Sequence, residues 1–225
     1  MLKKTIFAGL AVASLAAPSI ANEKDNAFYL TVGGGYSFVD DVDGDTTITG
    51  TKYDLSSDMD DAFNWNVGLG KHFNGKWRLE YSYGHFQPKM TNVTATTGGT
   101  GATASISPKP EFEIKSHMFN IYRDFRGFPI GGNKLTPYVG AGIGSTNVKM
   151  KNYTTTVAGT AVSVTDNGRD LTSWSVKGGL NYAATTSTDL YTEVSYNGLS
   201  NFSEDNINYD SLSDIKIMGG LRYKF

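Results

Sequence analysis

Hydrophobic and polar positions alternate along most of this chain with a period of two, in eight separate runs. The last run, Asp214 to Phe225, is the clearest. Ile215, Ile217, Gly219, Leu221, Tyr223 and Phe225 share one side; Lys216, Met218, Gly220, Arg222 and Lys224 share the other. One face is apolar and ends in two aromatics, and the opposite face carries three cations, which is the pattern of a β-strand lying between two different environments.

Seven earlier runs repeat that pattern: Asn26 to Phe38, Ala62 to Phe73, Lys76 to Phe86, Glu111 to Phe125, Leu135 to Asn147, Thr172 to Ala184 and Asp189 to Leu199. In the third, Trp77, Leu79, Tyr81 and Tyr83 alternate with Arg78, Glu80, Ser82 and Gly84, so the polar face carries charge at mid-strand. The fourth run is irregular. Phe119, Ile121 and Phe125 fit the apolar face, but Phe112 and Ile114 fall on the polar one, which predicts a bulge or an unpaired extension there. Asn74-Gly75 between the second and third runs is a strong hairpin signal, because a type I′ turn needs positive φ at both central positions.

The connections alternate in length. Those after runs one, three, five and seven are long and polar, and those after two, four and six are short. An even number of strands, each about 10–13 residues long, with long loops at one end and tight turns at the other, predicts an all-β, eight-stranded, antiparallel up-and-down transmembrane β-barrel. A membrane strand needs about 9–11 residues, and the edges must close because lipid offers no hydrogen-bond partners. The soluble rival, a secreted β-barrel carrier, would place the apolar faces inside. Arg78, Glu80, Lys177, Glu193, Lys216 and Arg222 all lie on the glycine-rich polar face, as expected of side chains that fill a narrow lumen.

Composition agrees with a β protein exported from the cytoplasm. Met1 to Ala21 reads as a signal peptide, with Lys3 and Lys4, a short apolar stretch and the small residues Ser19 and Ala21 before the cleavage point. Asn22 to Phe225 is then one barrel domain. There are no cysteines, and a net charge of −2 argues against a general nucleic-acid binder.

At this point the chain resembles the small outer-membrane proteins with an OmpA/OmpX-like barrel, including opacity-type porins and surface antigens. The resemblance rests on Asn64-Trp65-Asn66-Val67-Gly68-Leu69-Gly70, on Trp77 to Tyr83, on Thr136 to Gly144, and on the terminal Gly219-Gly220-Leu221-Arg222-Tyr223-Lys224-Phe225. It implies location in the bacterial outer membrane, among its lipids and lipopolysaccharide. It implies that the assembly machinery reads Leu221, Tyr223 and Phe225. It implies a structural or surface-interaction role through the long loops, toward an extracellular ligand or host surface, with no cofactor and no catalysis. A narrow small-solute porin is the rival role.

Candidate chemistry is sparse. Gly33-Gly34-Gly35 and Gly140 to Gly144 open no helix, so they read as strand glycines rather than phosphate loops. The first long loop holds Asp40, Asp41, Asp43, Asp45, Asp54, Asp58, Asp60 and Asp61 against Lys52 alone. Asp41, Asp43 and Asp45 imitate part of a calcium loop, but the glycine comes early and Lys52 takes the place of the closing Glu. A solvated acidic loop is the expectation, with weak cation binding as the alternative. His72, His85 and His117 fall at three levels and are not expected to share a site. The six lumenal charges are expected to pair, with Glu80 and Glu193 as partners for Lys216 and Arg222.

Overall fold

The computed structural model describes residues 27–225, apart from residues 49, 75, 98, 106–108, 152, 158–159, 165–167, 205–206 and 210. The predicted signal peptide, Met1 to Ala21, lies outside the described residues.

Eight long antiparallel strands form the wall: β1 (Phe28–Val39), β2 (Ala62–Phe73), β3 (Trp77–Phe86), β4 (Phe112–Asp124), β5 (Asn133–Met150), β6 (Arg169–Ala183), β7 (Thr188–Leu199) and β8 (Ser213–Lys224). Each pairs with its sequence neighbours, and β8 pairs with β1 to close the ring. Following one row of partners around the wall leads from Tyr29 through Gly70, Glu80, Asn120, Gly142, Ser175, Asn197 and Asp214 to Val39. The row returns to β1 ten residues further along, since 39 − 29 = 10. With usual strand spacings that stagger corresponds to a tilt of about 40°, and eight strands then leave a lumen that side chains fill.

The pleat labels the two faces, which alternation alone could not do. Apolar side chains point outward: Phe119 is 69% exposed, Ile143 63% and Phe63 58%, in company with Leu30, Val67, Leu79, Val176 and Ile217. Arg78, at 0%, faces inward with Tyr29, Glu80, Tyr122 and Tyr138. An apolar exterior around a polar interior contradicts the soluble carrier, whose strands would need the reverse. Aromatic rings gather near both ends of the wall: Phe28 stacks on Phe225 at the short-turn end, and Trp65 lies 5.6 Å from Tyr83 toward the loop end.

The short turns follow their sequence signals. Asn74 adopts φ 50° and Lys76 N–H donates to Phe73 C=O at 3.2 Å. Gly131 and Gly132, at φ 56° and 84°, make a two-residue turn between Phe128–Ile130 and the start of β5.

Two expectations change. The wall of β4 contains no bulge: its register runs unbroken from Phe112↔Met150 to Asp124↔Tyr138, and Ile114 also pairs with Phe86. Phe112 and Ile114 keep phase with Met118 and Tyr122 and point into the lumen mouth. Nor are the long connections simple loops. Hairpins Val42–Ile48/Thr51–Met59, Met90–Thr97/Thr100–Ser105 and Phe202–Glu204/Ile207–Tyr209 join edge to edge in one six-stranded sheet above the barrel. The connection between β5 and β6 forms its own ribbon, Tyr153–Val157/Thr160–Val164.

Candidate functional site

The lumen has three tiers. The lowest, toward the short turns, is built around Arg78. Its Nε donates to both carboxylate oxygens of Asp124 at 3.1 and 3.0 Å, and its guanidinium lies 4.4 Å from the Tyr122 ring and 4.9 Å from that of Tyr138. In this narrow space the faces of the rings supply negative potential where further carboxylates would not fit. Glycines opposite make room: a Cβ at Gly70 would overlap the Tyr29 ring, and one at Gly140 the Tyr122 ring. With a Cβ at Gly33 likewise meeting the Tyr191 hydroxyl, close approach explains both glycine clusters better than a phosphate loop does.

Around this centre the other charges find partners. Tyr122 Oη donates to Glu80 at 3.2 Å, and Thr31 lies within 3.5 Å of the same carboxylate. Lys177 Nζ lies 3.7 Å from Glu193, which also accepts from Tyr138 Oη at 3.1 Å. Arg222 donates to Asn181 Oδ1 at 2.6 Å and sits over the Tyr29 and Tyr191 rings at 5.1 and 5.6 Å. Asp189 takes Lys224 at 2.7 Å and Asn181 at 2.8 Å. All six predicted charges therefore point inward, but the expected pairing of Lys216 and Arg222 with Glu80 and Glu193 is wrong. In register Lys216 stands opposite Ser195, whereas Glu193 stands opposite Met218. Lys216 instead lies 3.5 Å from Asp214 and 4.4 Å above the Phe86 ring. Asp124, Asp189 and the tyrosines were not predicted as members. Asp124 was legible as an inward residue, but partner choice across a closed wall needs the stagger.

The middle tier is polar and small. Asn120 donates to Ser82 at 2.9 Å, and Thr146 donates to Ser116 at 2.9 Å. A cavity of about 70 Å³ lies here, lined in part by Asn64, Ser175, Ser195, Lys177 and Asp214, large enough for a few waters.

The upper tier is apolar. Each strand contributes one inward residue at or beside its loop end: Val39, Ala62, Phe86, Ile114, Val148, Leu171, Leu199 and Leu212. Val42, Met59 and Phe112 pack against them. This collar crosses the lumen mouth just beneath the loop sheet. Its signal in the sequence was the apolar residue on the polar face near the loop end of each run, which looked like an error of phase at Phe112 and Ile114.

The acidic loop lies extended rather than coiled around a point. Asp43 accepts from Ser56 at 2.7 Å, Asp45 stands opposite Asp54, and Lys52 lies 3.5 Å from Asp54. Asp43 and Asp45 therefore lie along one strand with Asp41 just before it, and among the described residues no three acidic or imidazole groups converge on a metal position. The histidines are dispersed. His72 packs edge-on to Tyr29 inside the lumen, His85 lies 3.5 Å from Glu113 at the loop-end rim, and His117 Nδ1 meets Tyr81 Oη at 2.6 Å on the outer face.

A closed barrel with this exterior, two aromatic zones and charged side chains turned into its lumen defines an outer-membrane β-barrel protein. Residues 6–225 match the outer membrane protein beta-barrel domain, and the chain belongs to that family. It resides in the bacterial outer membrane. A protein of Rickettsia canadensis (strain McKiel) named "Putative adhesin" is 25% identical over 209 residues, covering 92% of this chain and 86% of that one. Among solved structures, Neisserial surface protein A (NspA) shares the fold at TM-score 0.54 and 16% identity, over 88% of this chain and 97% of NspA. The outer membrane protein OprG from Pseudomonas aeruginosa does so at 0.52 and 15%, over 89% and 97%.

Proposed function

We propose that this protein is a surface-interaction protein whose barrel is a closed anchor and whose loop sheet is the working part. The observation that carries the reading is the union of three loops into one six-stranded sheet standing on a lumen filled by side chains. A porin directs its residues to keeping a path open. Here Arg78, the tyrosines and the collar occupy the cross-section at two levels. The acidic ribbon Val42–Met59 lies inside the sheet, so its aspartates are presented on an ordered surface suited to basic or cation-bearing partners. The resemblance to a protein named as an adhesin supports the same reading. Leu221, Tyr223 and Phe225 serve as the address for the assembly machinery, on the strand whose pairing with β1 closes the wall.

Two measurements test this. Purified protein in a planar lipid bilayer should show no sustained open-channel conductance, and Glu193→Ala should raise it by uncovering Lys177. Steady porin-like current from the native protein would overturn the closed anchor. Bacteria displaying the protein should adhere to epithelial monolayers better than bacteria displaying an Asp43→Asn, Asp45→Asn, Asp54→Asn variant. Equal adherence would remove the acidic sheet from the reading.

A further inference from the structure

The short-turn end of the barrel carries the opposite sign of charge from the acidic ribbon at the loops. Among the described residues, the carboxylates nearest that end are Asp124 and Asp189, held by Arg78 and Lys224. Lys76, Arg126 and Lys134 are exposed there, and none of the three has an ion-pair partner among the described residues. Lys71 and Arg123 lie over aromatic rings, at 4.9 Å from Phe28 and 4.8 Å from Trp77.

The connection between β4 and β5 stands free at this end. Phe125 N–H donates to Pro137 C=O at 2.9 Å; the pairing then slips by one residue at Arg126 and Gly127 and resumes at Phe128↔Leu135. Phe128, Pro129 and Ile130 are exposed in succession. A strand packed on one side alternates between exposed and buried, so neither face of this hairpin rests on the protein. Lys134 lies across Gly127, where a Cβ would overlap its side chain, next to Arg126.

The hairpin also reaches past the membrane. A ten-residue stagger amounts to about four residues over three strands (10 × 3/8), which sets Phe125 level with Phe28 in the aromatic zone. Ile130 lies five residues further, about 15 Å along an extended chain, whereas the headgroup layer is about 5–8 Å deep. Even at the tilt of the wall the tip clears the lipid, and short turns mark this side as periplasmic.

An apolar tip between unpaired cations is a surface for an anionic partner. Pro129 removes an N–H from the tip strand, which disfavours strand addition by a peptide. Engaged from one side, so short a hairpin covers less than the roughly 800 Å² per partner of a stable protein interface. A finger of this size fits a thin polymer met at many points, where weak single contacts add up.

We propose that the Phe128–Leu135 hairpin, with Arg126 at its base, docks on the carboxylate-bearing glycopeptide of the cell wall. Peptide carboxylates match Arg126 and Lys134, and sugar faces match the Phe128 ring. The site is independent of the lumen and of the loop sheet.

The test sediments purified wall sacculi with the full mature chain refolded in zwitterionic detergent. The native protein should co-sediment, and failure to do so would overturn the proposal. Arg126→Gln with Lys134→Gln should weaken retention about fivefold, as two exposed charge contacts would. Phe128→Ser with Ile130→Ser should weaken it about tenfold through lost apolar burial. Heat-modifiable gel mobility would show each variant folded. Lys89→Gln with Lys149→Gln removes the same charge from the loop end and should leave retention native. Sacculi with amidated carboxylates should release the native protein. Native retention of both hairpin variants would overturn the proposal, as would an equal loss in the loop-end pair or full retention on amidated sacculi. Phosphatidylglycerol vesicles are the second probe: hairpin variants that lost vesicle binding and kept sacculus binding would assign the tip to lipid instead.

Discussion

The lower and upper tiers of the lumen line the same barrel with opposite chemistry. Around Arg78 the filling is charged: a guanidinium at 0% exposure, a carboxylate against it and tyrosine rings on its sides. At the loop end it is a ring of Val, Ala, Phe, Ile and Leu. The wall dictates neither choice, since the same pleat supplies both. The difference follows from surroundings. The lower tier lies within the membrane span, where a buried charge keeps its place only with partners in exact geometry. The collar lies under the loop sheet, where apolar side chains have a polar lid to hide beneath and need only matching volume.

That contrast can be broken from either side, and the expected effects fall in order. Asp124→Asn is nearly isosteric, yet it leaves Arg78 buried without a counter-charge and should cost about 3–5 kcal/mol. Urea unfolding in lipid vesicles, followed by gel mobility, measures it. Leu171→Ala removes collar volume and should cost about 2–4 kcal/mol, while Leu171→Met at the same position should cost under about 1.5 kcal/mol. If the volume-conserving change were as harmful as the truncation, the collar would depend on geometry as the lower tier does. Tyr122→Phe removes the hydroxyl that Glu80 accepts from and keeps the ring over Arg78, so about 1–2 kcal/mol is expected. A much larger loss would mean that the tyrosines act through their hydroxyls rather than their faces.

The smallest effect lies at the rim. Glu111 is held below the usual carboxylate range, chiefly by its hydrogen bond from Lys151. Its depressed value in the folded protein means that it stabilises at neutral pH, above the unfolded carboxylate pKa. That contribution is lost as pH falls through the lower, folded value. Glu111→Gln should therefore slightly reduce stability at neutral pH and make no difference in acid. Equal effects at both would assign the role to packing. Against the interior pairs, this partly exposed ion pair should count for little.

Much of the barrel was legible because lipid and lumen impose a period of two on every strand. Phe63 to Leu69 and Trp77 to Tyr83 display it without interruption, and Asn74 announces its turn by the φ that it must adopt. The inward position of all six charges followed from the same parity. Their partners did not, because Lys216 and Glu193 are separated by a stagger that only the closed ring defines. The collar was read as a fault at Phe112 and Ile114 because the rule applied there, polar inside and apolar outside, holds for the membrane span and not for the mouth above it. The merging of the loops had no period to announce it: short Thr-, Ser- and Asp-rich segments carry weak strand signals, and their pairing depends on which strand ends the barrel brings together.

The sequence by itself determined the eight strands of the wall, which residues of each share a face, and which connections are long and which short. All of these are properties of one strand and its neighbours along the chain. The tertiary structure decided which charge meets which, where the lumen changes from charged to apolar, and how three loops become one sheet. Those depend on a stagger of ten residues accumulated around the whole ring, and no single strand contains it.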